Sequence, residues 1–116
     1  MVNHAKADEL RLELRKLQQQ KEDYEDFCKK FKKQMNIDAD EFHEIGYDLS
    51  CLHNDFLGLD SELSNIIQDN QEVYKQLQNG CDDLSILTDE EQKRYNYRCE
   101  GEKEEILRAI NRLEMV

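Results

Sequence analysis

The sequence predicts an all-α fold: an antiparallel helical hairpin or small bundle of long heptad-patterned helices, with a C-terminal helix. Three observations predict it. The 116 residues hold no proline and only four glycines, so little interrupts a helix. Apolar residues recur at alternating steps of three and four through most of the chain. Helix-capping and turn signals at three places offer points where the patterned helices can fold back.

The periodicity runs in two rows. Leu10, Leu17, Tyr24, Phe31, Asp38, Ile45, Leu52, Leu59, Ile66 and Val73 form the d row, and nine of these ten are apolar. Leu14, Lys21, Cys28, Met35, Phe42, Leu49, Phe56, Leu63, Asn70 and Leu77 form the a row, and eight of these ten are apolar. A composition with 38% hydrophobic residues would place about eight apolar residues in those twenty positions by chance, so the seventeen found mark a helical seam. Its longest uninterrupted part predicts the core: Phe42, Ile45, Leu49, Leu52, Phe56, Leu59, Leu63 and Ile66. Lys21, Asp38 and Asn70 interrupt it. A polar residue at an a position either sets register or marks a helix end, and Asn70 fits both readings.

The chain reads as one helical domain, 1–116, with helical segments at about 5–35, 39–78 and 89–114. Three stretches compete for the main turn. At 36–40, Asp38 with Glu41 makes a weak capping box. At 54–58, Asn54-Asp55-Phe56-Leu57-Gly58 lies near the middle of the chain. At 79–88, Asn79-Gly80 resembles a helix stop, and Thr88 with Glu91 makes a good capping box for a last helix. That helix carries Tyr95, Cys99, Ile106, Ile110 and Leu113 as its stripe. The earlier rows do not continue into it, because Glu91, Arg94 and Arg98 fall on them. One helix from residue 5 to 78 would be about 110 Å long, so folding back at an early turn, or a partner chain, is needed to cover its seam.

Charge narrows the function classes. The formal net charge is −11 and charged residues make up 37% of the chain. Such a surface repels phosphate backbones and anionic headgroups, which argues against nucleic acid and the membrane surface as partners. It suits a protein partner with a basic face, or serves solubility alone. No apolar run is long enough to insert into a membrane, and residues 1–20 lack an apolar signal core, so a cytoplasmic protein is expected.

Chemistry-bearing motifs are sparse. Cys28, Cys51, Cys81 and Cys99 stand apart and read as reduced thiols. His43 and His53 are ten residues apart, and Cys51-Leu52-His53 lacks the paired spacing of a zinc site. Asp38-Ala39-Asp40 opens like a calcium loop, but His43 stands where the loop needs glycine and Leu49 where it needs glutamate. Tyr95-Asn96-Tyr97-Arg98 reads as a helix face rather than a base-stacking platform. There is no phosphate-cradling glycine loop and no nucleophile motif. No enzyme activity, cofactor, catalytic residue or metal ligand is expected.

The size, the lack of proline, the hairpin pattern and the central Phe56-Leu57-Gly58 resemble the small helical proteins of bacterial type VII secretion. Members of that group carry a W-x-G turn between two helices; here phenylalanine replaces the tryptophan. The tyrosine-x-x-x-acid export motif is missing, since Cys99 follows Tyr95 and Gly101 follows Tyr97 at that spacing. The acidic helical character, the aromatic segment from Phe42 to Phe56 and the charged segment from Glu102 to Glu114 are more similar to the second of the two small helical proteins that accompany LXG toxins. That resemblance implies a non-enzymatic adaptor or targeting chaperone. Its partner would be the helical domain of the toxin, with or without another small helical protein, and co-export with that partner is open. The alternative is a self-associating coiled-coil scaffold, a homo-oligomer unrelated to secretion. With the seam as intramolecular core, the partner is expected on flanking residues: Phe27, Tyr47, Ile67 and Tyr74.

Overall fold

The computed structural model describes residues 4–56 and 61–115, with the side chain of Phe56 outside that description. Helix α1 spans His4–Phe56 and helix α2 spans Ser61–Glu114. They pack as an antiparallel hairpin with no strand among the described residues. Of the three competing turns, only the middle one coincides with the break between the helices. Leu57, Gly58 and Leu59 themselves lie outside the described residues.

Helix continues through both of the other candidates, and local bonds explain why. Asp38 does not cap a helix: its Oδ1 accepts from Gln34 Nε2 at 2.8 Å, one turn earlier on the same helix. Thr88 does not cap one either. Its hydroxyl donates to the Leu84 carbonyl at 2.7 Å, the back-bond that serine and threonine make inside a helix. Gly80 sits in mid-helix, and a Cβ placed on it would meet nothing within 4 Å. The expected segments 5–35 and 39–78 therefore do not exist as separate helices, and the expected helix at 89–114 is the end of α2.

The residues divide into two compact units. The terminal unit holds Met1–Lys29 and Asp89–Val116. Within it Ala7, Cys28, Cys99 and Ile110 are buried, and Leu10, Leu14, Leu17, Tyr24, Tyr95, Ile106 and Leu113 are half-buried between them. Small residues at Ala7, Cys28 and Cys99 leave room for the longer side chains opposite. The rings of Tyr24 and Tyr95 meet with centroids 4.2 Å apart, tilted by 34°. Lys21 Nζ lies 3.5 Å from Glu100 Oε1, so this polar interruption of the seam is an ion pair between helices. Arg11 pairs with Glu114 farther along. These pairs match the antiparallel register, and their exposure keeps the energy of each small.

Tyr24 and Tyr95 each prefer the neutral phenol in this packing. Burial raises both above their ordinary value of 10.0, and side-chain hydrogen bonds to Cys28 and Cys99 add to the shift. Burial also raises the Cys81 thiol above its ordinary 9.0. An acid whose folded value is raised stabilises the fold fully below its unfolded value and loses that contribution as pH climbs through the folded one. The thermal midpoint is therefore expected to hold up to about pH 9 and fall beyond it, with a shallower fall in Tyr95→Phe. Calorimetry across pH 8–11 checks this.

The central unit, Lys30–Thr88, joins the second half of α1 to the first half of α2. Phe42 packs on Tyr74, with ring centroids 6.1 Å apart. Ala39, Ile67, Ser64 and Cys81 are buried in this unit, and Phe31, Met35, Leu49 and Gly46 are half-buried.

Candidate docking face

α1 turns its a row inward through Leu49 while its d row leaves the seam at Ile45, and α2 turns a different row inward altogether. Its inward row in the central unit is Ser64, Ile67, Gln71, Tyr74, Gln78, Cys81, Ser85 and Thr88. The outward neighbours of that row are the residues that the heptad placed in the seam. Ile66 is 52% exposed and Val73 51%, and Leu63, Leu77, Leu84 and Leu87 are exposed as well. The cause is the continuity of α2. The stripe set by Ile110, Ile106, Cys99 and Tyr95 extends backward along one helix in steps of three and four, to Gln92, Thr88, Cys81, Tyr74 and Ile67. A break at Gly80 would have let the two stripes face inward separately. Without one, the more apolar row of the first half stays outside.

The predicted site residues therefore regroup. In the predicted core, Phe42 and Leu49 are half-buried as expected. Ile45, Leu52, Leu63 and Ile66 are exposed, so they are surface rather than core. The Phe56 side chain and Leu59 lie outside the described residues. In the predicted partner surface, Phe27 and Tyr47 are 62% and 66% exposed. Ile67 is only 6% exposed and Tyr74 packs on Phe42, so these two belong to the hairpin seam. On α2 the inward and outward assignments are exchanged. Leu84 and Leu87 were missed as surface candidates; carrying the Tyr95 stripe backward through Thr88 would have found them.

The two faces beside the seam of the central unit differ in chemistry. On one side, His43, Gly46, Tyr47 and Ser50 of α1 meet Gln68, Asp69, Gln71, Glu72 and Lys75 of α2 in an open groove. On the other side lie Ile45 and Leu52 of α1 and Ile66, Val73 and Leu77 of α2. Helical geometry places this second set on one side, because each member sits three, four or seven residues from the next and on the same flank of the seam. Asn70 interrupts the row but serves its own helix, donating Nδ2 to the Ile66 carbonyl at 2.9 Å. This row is an apolar helix face of the kind that meets other helices.

Among the described residues no group of three or more His, Cys, Asp or Glu side chains could hold a metal ion. The four cysteines are free thiols, with Cys28, Cys81 and Cys99 buried and Cys51 exposed. No described helix is long and apolar enough to cross a membrane. Neither a family model, nor a curated protein, nor a solved structure matches this chain.

Proposed function

We propose that this protein is a non-enzymatic adaptor whose hairpin presents a helical face to a helical protein partner. The observation that supports this is the exposed apolar row of α2, Ile66, Val73, Leu77, Leu84 and Leu87. A row of large apolar side chains at heptad spacing is stabilised by another helix laid along it, through burial of apolar area and knobs-into-holes packing. The resemblance to the LXG-associated helical proteins supplies the partner class: the helical domain of a type VII-secreted LXG toxin, which the adaptor would bind and target for export.

Co-purification tests the reading. The reading expects an LXG toxin gene beside this one, and the helical domain of its product is co-expressed with the tagged chain. A stable complex of defined stoichiometry is the expected result. No complex in either tag orientation, with both proteins folded, would overturn it. The same apolar row also suits a second copy, as in the alternative of a self-associating scaffold. Light scattering of the isolated chain separates the two: a monomer fits the adaptor, a stable dimer the scaffold.

A further inference from the structure

The charge of this protein is distributed unevenly. Residues 37–88 hold twelve acids and one base, Lys75, so the whole net charge of −11 lies there and the remaining residues balance. Six of these acids border the apolar row. Glu41, Asp48 and Asp55 recur every seven residues along the outer edge of α1, beside Ile45 and Leu52. Glu62, Asp69 and Asp83 occupy positions of one heptad row along the back of α2, next to Ile66 and Val73, and Asp69 reaches the groove on the far side as well. All six are exposed, and neither row contains a lysine or arginine; Lys75 lines the groove on the opposite side.

We propose that this face takes an amphipathic helix whose apolar seam is flanked on both sides by lysine or arginine. The inference rests on the adaptor reading and specifies the chemistry of its partner. Ile45, Leu52, Ile66, Val73 and Leu77 form the floor that the seam of the incoming helix covers. The acidic edges select the flanks of that helix, as charged e and g positions select partners in coiled coils. They also disfavour a second copy on this face. Two such faces would set acidic edge against acidic edge in either orientation, a like-charge clash across the whole contact. Basic flanks turn the same edges into attraction, which speeds encounter and weakens with salt.

The test uses the full chain and synthetic helical peptides of about three heptads. One peptide has a leucine and isoleucine seam with lysine flanks. A second keeps the seam with glutamate flanks. A third scrambles the first, keeping its charge without a seam. Affinity is read by fluorescence anisotropy. The lysine-flanked peptide is expected to bind about tenfold or more tighter than either other. Val73→Ser with Leu77→Ser should weaken it about tenfold or more at unchanged helicity, because both side chains are exposed. Asp48→Lys with Asp69→Lys should shift preference toward the glutamate-flanked peptide, giving a second reading that does not touch the apolar floor. Equal binding of the scrambled peptide would reduce the effect to bulk charge and overturn the proposal. So would full binding by the Val73/Leu77 variant, or a dimer of the wild-type chain that this variant dissolves. Failure here is distinguishable from failure of the adaptor reading. If the toxin domain still co-purifies with the Val73/Leu77 variant, the adaptor stands and this face is wrong. If the wild-type chain does not co-purify with it, the adaptor reading itself falls.

Discussion

Ile67→Ala is expected to cost roughly 2–5 kcal/mol of stability, while Ile66→Ala leaves stability within about 0.5 kcal/mol of wild type. The two isoleucines are adjacent in sequence and alike in chemistry. They differ in direction: Ile67 is buried in the hairpin seam, and Ile66 is more than half exposed on the outer row. Truncating Ile67 removes buried apolar area and leaves a cavity beside α1. Truncating Ile66 removes a side chain already largely in water and replaces a β-branched residue with the best helix former. Urea unfolding of the two variants, at unchanged slope, gives the comparison. If Ile66 proved the costly one, the heptad rows would be the true inward face of α2.

Gly80→Pro is expected to cost about 3 kcal/mol or more, and Gly80→Ala to add about 1 kcal/mol. Both follow from Gly80 lying inside α2 with open space where a Cβ would go. Proline would remove a backbone hydrogen bond and press its ring on the preceding turn. Alanine would restrict the unfolded chain without meeting a neighbour. If the helix instead stopped at Asn79-Gly80, a left-handed Gly80 would resist proline too, so the proline variant measures the cost without separating the two readings. Alanine would then destabilise, because a left-handed C-terminal glycine resists replacement. Alanine alone changes sign between the readings, so the thermal midpoint of Gly80→Ala decides the matter.

How much of this was legible in the sequence depends on which helix is considered. For α1 the heptad held as far as Phe42, and beyond it the d row turns outward, leaving Ile45 and Leu52 exposed. Leu10, Leu14, Leu17, Phe31, Met35, Phe42 and Leu49 all lie on its inward face, because a single stripe leaves no choice of direction. For α2 two stripes compete, one through Ile66 and Val73 and one through Tyr95, Cys99 and Ile110. Periodicity measures how apolar each row is, not which row faces the neighbouring helix. That choice turns on whether the helix breaks near Gly80, and the local signals there pointed the wrong way. Asn79-Gly80 and Thr88-x-x-Glu91 match a stop and a start, yet Thr88 is satisfied by the Leu84 carbonyl and Gly80 by ordinary helical backbone. Asp38 misled in the same manner, since its carboxylate accepts from Gln34 one turn earlier on the same helix. The middle turn was one of three left open, and the expected segment 39–78 ran through it; the structure ends α1 at Phe56 and starts α2 at Ser61. The docking face was missed for the same reason as the core of α2: the row assigned to the interior was the row left outside. Its apolar content was plain in the sequence, and its exposure was not.

The inward direction of α2 is the central claim, and the native cysteines test it without any substitution. Cys81 lies on the inward row of α2 and is buried, as are Cys28 and Cys99, whereas Cys51 of α1 is exposed. Burial also raises the Cys81 thiol, which reduces its reactive thiolate at neutral pH. Alkylation of the folded wild-type chain, followed by mass analysis of each cysteine-bearing peptide, is expected to modify Cys51 first and rapidly. Cys81 should react with Cys28 and Cys99, at a rate that rises only when the hairpin opens. Modification of Cys81 as fast as Cys51 under native conditions would contradict the account, because α2 would then turn a different face to α1.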